Sequence, residues 1–187
     1  TNHYLRLIMT HSSTSLSTSF LHRASSACAL AAMLASPAVA MADQREGLPL
    51  WFCSSGVTGS YLLNIDFSDG SFSSRGILSF MKDGILIVND SSQGGLKTKW
   101  DQFTSGQGAW RCAGSRSFYA VSVNFNIPGE IDPDGGLARL DYTGQVDRNG
   151  KINGTVELRL FELDQDPFNE TVTPIDVFNF TGQRITA

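Results

Sequence analysis

Four charged residues on two adjoining stretches bring this sequence nearest to a catalytic pattern. Arg139 and Asp141 alternate with Leu140 and Tyr142; Glu157 and Arg159 alternate with Val156 and Leu158. If the stretches pair as a hairpin around Arg148-Asn149-Gly150, Asp141 falls opposite Glu157, with an arginine on the diagonal of each. Two carboxylates held face to face push one pKa upward, which is how a general acid is made. Tyr142, on the neighbouring face, would be the companion group for proton transfer. On a solvated outer wall the same four residues would be ion pairs that contribute little each. Which face lines the interior of the fold therefore decides between an active site and a surface.

Other chemistries are excluded by what the chain lacks. Its three histidines, His3, His11 and His22, all lie in the first 42 residues. There Arg6, His22 and Arg23 precede a short apolar run, Ala27–Ala35, and then the small-residue stretch Ala38-Val39-Ala40-Met41-Ala42. This order is that of a secretory signal peptide, with cleavage expected after Ala40 or Ala42. Its apolar run is too short to span a bilayer, which takes about 20 residues. The expected mature domain, residues 43–187, is then periplasmic or secreted and has no imidazole. Ser-His-Asp and Cys-His nucleophiles and histidine-ligated zinc are ruled out with it. The domain keeps 12 basic and 18 acidic residues, a net charge of −6. An acidic surface without a basic cluster argues against nucleic acid, and after cleavage no membrane insertion is expected.

Two cysteines remain, Cys53 and Cys112, and in an oxidising compartment they are most simply one disulfide. The acidic turns Asp132-Pro133-Asp134-Gly135 and Asp164-Gln165-Asp166 lack the rest of a calcium loop, so turn chemistry accounts for them and no metal is expected. There is no P-loop and no nucleotide-binding glycine fingerprint, so no cofactor is expected either.

The elements that must position these groups read as strands throughout. The stretch 106–127 predicts two strands joined at Gly114-Ser115. In the second, Tyr119, Val121, Val123, Phe125 and Ile127 form the apolar and hence buried face, with Ala120, Ser122, Asn124 and Asn126 on the other. Further strands are expected at Val57–Asp66, Phe72–Phe80, Ile85–Asn89, Leu137–Asp147, Lys151–Glu162 and Val172–Arg184. A long polar loop is expected over Asp90–Thr104. Gly150 should end the 148–150 connection in the left-handed conformation, pairing Leu140 with Leu158, Tyr142 with Val156 and Val146 with Ile152. The fold class is all-β: about eight consecutive antiparallel strands closing into a single up-and-down barrel, with a two-sheet sandwich as the alternative.

The run Gly106-Gln107-Gly108-Ala109-Trp110, the run Gly114–Ala120 and the ending Phe180-Thr181-Gly182-Gln183-Arg184-Ile185 resemble a family of small exported bacterial barrels akin to the calycin and allene-oxide-cyclase-like barrels. The resemblance implies a buried cavity that takes an apolar substrate and guides rearrangement with few polar groups. By residue type, Asn64 and Glu157 would be among those groups. The expectation is thus a barrel holding a small, largely apolar molecule, with Tyr119, Tyr142, Trp110 and Phe125 lining its site. The rivals are a cofactor-free isomerase, cyclase or lyase using Glu157, Asp141, Tyr142 and Asn64, and a structural barrel with a filled core. Assembly into a homo-oligomer is compatible with each.

Overall fold

The computed structural model describes residues 49–95, 100–168 and 171–187, all within the unit Asp43–Ala187. The leader expected over residues 1–42 lies outside them. A short helix, α1 (Leu50–Val57), precedes eight strands: β1 (Gly59–Phe67), β2 (Phe72–Phe80), β3 (Ile85–Asp90), β4 (Gly106–Cys112), β5 (Ser117–Asn126), β6 (Gly136–Val146), β7 (Lys151–Phe161) and β8 (Asp176–Arg184). Each strand pairs antiparallel with the next, and β8 pairs with β1 from Tyr61↔Arg184 to Phe67↔Phe178. The sheet is a closed barrel, so the sandwich alternative falls.

The β6–β7 hairpin has the register the side-chain pattern demands: Leu140↔Leu158, Tyr142↔Val156, Val146↔Ile152 and Asp141↔Glu157. Gly150 turns it at φ 77°, and its N–H donates to the Asp147 carbonyl. One face of this hairpin is apolar and goes inside; slipping it by one residue would bury the charges instead.

Two boundaries differ from the sequence reading. Val57 ends a helix rather than beginning a strand. Cys53 and Val57, four residues apart on one helix face, are both buried, and the Cys53–Cys112 disulfide fastens α1 to the end of β4. Eight residues cannot hold a helix alone, so tertiary contact decides. The final strand starts at Asp176 rather than Val172, because Pro174 cannot donate to a ladder.

The larger correction concerns β5. Its buried residues are Phe118, Ala120, Ser122 and Asn124, whereas Tyr119 is 36% and Phe125 57% exposed. The apolar face points outward. The interior is already occupied by Tyr61, Phe80, Trp110 and Phe180 from other strands, leaving room on β5 mainly for small residues. The neighbouring strand β4 is small there too: a Cβ on Gly108 would collide with the Val121 carbonyl of β5.

The barrel has two unlike ends. Short turns at 81–84, 113–116 and 147–150 surround α1; the connections at 68–71, 91–105, 127–135 and 162–175 gather at the other end. At the helix end Phe80 meets Tyr61, Trp110 and Phe118 edge-on at 5.8, 5.5 and 4.6 Å between ring centroids. Trp110 Nε1 donates to the Met81 carbonyl at 2.8 Å. Arg184 donates to the carbonyls of Gly56 and Thr58, and the Tyr61 hydroxyl donates to that of Val57, so the helix C-terminus is satisfied.

Candidate functional site

The charged ladder stands on the outer wall. Arg139 and Asp141 project outward from β6 and Glu157 and Arg159 from β7, since Leu140, Tyr142, Val156 and Leu158 take the inner face. Arg139 donates to Asp141 Oδ1 from Nε at 3.0 Å and Nη2 at 2.8 Å. Arg159 bridges both carboxylates, reaching Asp141 Oδ2 at 2.5 Å and Glu157 Oε2 at 2.6 Å. The two acids therefore do not face each other uncompensated, and the arrangement that would make one of them a general acid is not built. Both arginines also hold the β7–β8 loop against the wall. Arg139 Nη1 donates to the Pro167 carbonyl and Arg159 Nε to that of Val172, each at 2.9 Å, and Arg139 lies over the Phe168 ring at 5.7 Å. Between this pinned loop and Tyr119 on β5 runs a groove of about 720 Å³.

The structure thus brings Asp141, Glu157 and Tyr119 together, but outside the barrel. Phe125 is also on the outer wall. Asn64 points outward from β1, where its Nδ2 lies 3.4 Å from Asp66 Oδ1, and it does not line the groove. Trp110 and Tyr142 do lie inside, Trp110 within the aromatic packing at the helix end.

The loop-end half of the interior is different in kind. Its walls carry Ser74, Gly76, Gly106, Ser122, Asn124 and Ala138, small or polar where the helix end is large and aromatic. Ser74 donates to Asp90 Oδ2 at 2.8 Å, and Asp90 Oδ1 accepts from the Ser92 amide at 2.8 Å. Asn124 Oδ1 is buried and has no hydrogen-bond partner among the described residues; Ser122 Oγ, equally buried, has the Tyr142 phenol beside it but outside hydrogen-bonding geometry. Above them Trp100 stands against Phe67 at 6.5 Å and Phe67 against Phe178 at 5.3 Å, an aromatic group across the loop end. The indole Nε1 of Trp100 is buried and unpartnered too. Burial pushes the Tyr142 phenol well above its ordinary pKa; the nearby Ser122 hydroxyl offsets part of this, while the negative charges of Asp90 and Asp141 add to it. Tyr142 is therefore a neutral hydroxyl, suited to hydrogen bonding rather than to acting as a base.

Sequence reasoning missed Ser74, Asp90, Ser122 and Asn124. The signal available was the polar alternate face of β5, which a solvent-facing reading absorbed. No protein-family model matches the chain, and neither does any curated protein or solved structure. The likeness to the calycin and allene-oxide-cyclase-like barrels rests on the quoted residues alone.

Proposed function

We propose that this protein is an exported barrel that binds a small, largely apolar molecule carrying one hydrogen-bonding group, in the loop-end half of its interior. The observation that carries the reading is that three of the four buried polar atoms without a hydrogen-bond partner among the described residues belong to this end: Asn124 Oδ1, Trp100 Nε1 and Ser122 Oγ, the last with the Tyr142 phenol beside it; the fourth, Thr58 Oγ1, lies at the helix end. Leaving such a group unmade costs about 1–3 kcal/mol, so a folded protein retains it where something else completes it. A hydroxyl or carboxamide suits them, since Asn124 Oδ1 accepts, Trp100 Nε1 donates and Ser122 does either. The apolar remainder would lie among Ile65, Val88, Leu140 and Phe178, which flank the core there. The mouths of β-barrels are a common place for such sites. Export is supported by the disulfide.

A cofactor-free isomerase, cyclase or lyase would use the same end of the interior. Its polar groups would then be Tyr142 and Asp90, because Asp141 and Glu157 stand on the outer wall. Native mass spectrometry of the exported protein, followed by thermal shift against medium-chain and terpenoid alcohols, tests the binding reading. Expected are a retained small molecule or a raised Tm, either of them lost in Asn124→Ala. An empty protein whose Tm no alcohol raises would leave the structural barrel as the better account. Conversion of a bound alcohol or its aldehyde to an isomer would select the enzyme.

A further inference from the structure

The groove on the outer wall has a chemistry the interior lacks. We infer that it is a second, separate binding site, and that its ligand is a neutral oligosaccharide. Along the β6–β7 hairpin four outward cross-strand pairs follow one another: Gln145↔Asn153, Thr143↔Thr155, Asp141↔Glu157 and Arg139↔Arg159. All eight side chains carry hydrogen-bonding groups, the last three pairs line the groove, and successive rungs lie about 7 Å apart, two residues of strand rise. Such a ladder offers donors and acceptors at regular intervals along a line, which is what a chain of hydroxyl-bearing rings presents in return.

Three arginines and two carboxylates line the groove, and both carboxylates are already paired. The carboxylates of Asp141 and Glu157 are neutralised in place by Arg139 and Arg159, yet keep lone pairs to spare, Glu157 being joined only through Oε2. The ladder is compensated while the groove remains rich in planar, two-pronged hydrogen-bonding groups, which match pairs of neighbouring hydroxyls. Aromatic rings stand at its sides: Tyr119 on β5, with the Arg111 guanidinium 5.5 Å from its ring centroid, and Phe168 on the pinned loop, 63% exposed. An exposed ring beside a hydroxyl-binding row gives the apolar C–H face of a sugar a surface to lie on. The volume of about 720 Å³ falls within the roughly 300–1,000 Å³ of small-molecule sites. The groove is open along the wall, as a polymer segment requires. The arginine anchors at Pro167 and Val172 fix its far side before any ligand arrives, which lowers the ordering cost of binding.

Affinity electrophoresis of the purified chain through gels containing laminarin, xylan, hydroxyethyl cellulose or dextran is the test. The result expected is retardation by at least one of these neutral polysaccharides, persisting in added salt. Tyr119→Ala and Glu157→Gln should each weaken it about tenfold, the loss of one stacking or one charge-assisted contact. Both residues lie on the outer wall, and circular dichroism will show whether each variant keeps its fold. Migration unchanged by all four polymers overturns the inference. So does retardation that both variants retain. Retardation by heparin alone, abolished by salt, overturns it in favour of an anion site around Arg111. Asn124→Ala should leave the retardation intact, so the interior and the groove can fail independently.

Discussion

The two ends of the barrel are built to different specifications. At the helix end Tyr61, Phe80, Trp110 and Phe118 fill the interior, α1 is fastened over them by a disulfide, and Arg184 and Tyr61 satisfy the last carbonyls of the helix. At the loop end Ser74, Gly76, Gly106, Ser122 and Ala138 interrupt a lining that also carries Ile65, Val88 and Phe178, the connections lengthen, and three of the four buried polar atoms without a hydrogen-bond partner among the described residues are found there, the fourth being Thr58 Oγ1 at the helix end. One strand can serve both: β5 runs from Phe118 through Ala120 to Ser122 and Asn124, large to small to polar along a single inner face. The gradient teaches where this molecule keeps its stability and where it gives stability up. Function is sought where the packing is given up.

The sharpest way to break that comparison is to remove matter from the full end. Phe80→Ala deletes the ring that three others meet and should destabilise the protein by about 3–5 kcal/mol, read as a denaturant midpoint shift at unchanged m-value. Cys53→Ala with Cys112→Ala opens a link across a sequence separation of 59 and should remove about 4 kcal/mol. An effect near zero in either would show that α1 and the aromatic group do not carry the fold. Arg184→Met comes next. It keeps the bulk of the side chain but strands the Gly56 and Thr58 carbonyls, at about 2 kcal/mol. Gly59 and Gly150 bear on the same arginine, since a Cβ at Gly59 would sit 2.8 Å from its Nη1.

The same contrast explains which parts of the molecule could be read from the chain. The β6–β7 hairpin was legible to the residue because its two faces differ in chemistry: Leu140, Tyr142, Val146, Ile152, Val156 and Leu158 against arginines, acids and threonines. Burial leaves only one register open to such a pair. The Cys53–Cys112 link followed from arithmetic on two remaining thiols. On β5 the alternation was read correctly and its phase was inverted. The pattern marks two faces but does not say which one meets a neighbour's bulk, and here the space was taken by Trp110 on the adjoining β4 and by Phe80 and Phe180 on strands distant in sequence. Tyr119 and Phe125 went to the wrong side for this reason, and Ser122 and Asn124 were overlooked. The helix α1 was illegible because eight residues ending in Ser54-Ser55-Gly56-Val57 have little helical preference of their own. The outer groove depends on Arg139 and Arg159 catching the carbonyls of Pro167 and Val172, and no local pattern encodes that contact.

The smaller effects come from the interior polar groups, where the two ends should separate by sign. Burial raises the Tyr142 phenol above its ordinary 10.0, and raises Tyr61 less decisively because Arg184 opposes it. Both are neutral in the folded protein at pH values where the unfolded chain begins to ionise. Stability should therefore be flat below about pH 10 and fall above it, by up to about 1.4 kcal/mol per pH unit for Tyr142. Tyr142→Phe should flatten that fall in a series of Tm values taken from pH 8.5 upward; a fall of equal steepness would place the loss elsewhere. Smallest of all is Ser122→Ala, a change of one oxygen. At the helix end, deleting a buried group opens a gap in packed rings. At the loop end, the same size of deletion removes a hydroxyl that the Tyr142 phenol approaches without hydrogen-bonding geometry, so the ligand-free protein should gain up to about 1 kcal/mol. Affinity for an alcohol bound at the loop end should fall in the same variant. A protein stabilised yet emptied by one substitution would mark Ser122 as kept for its ligand; a destabilised one would mean that the hydroxyl belongs to the fold, and that the loop end is as finished as the helix end.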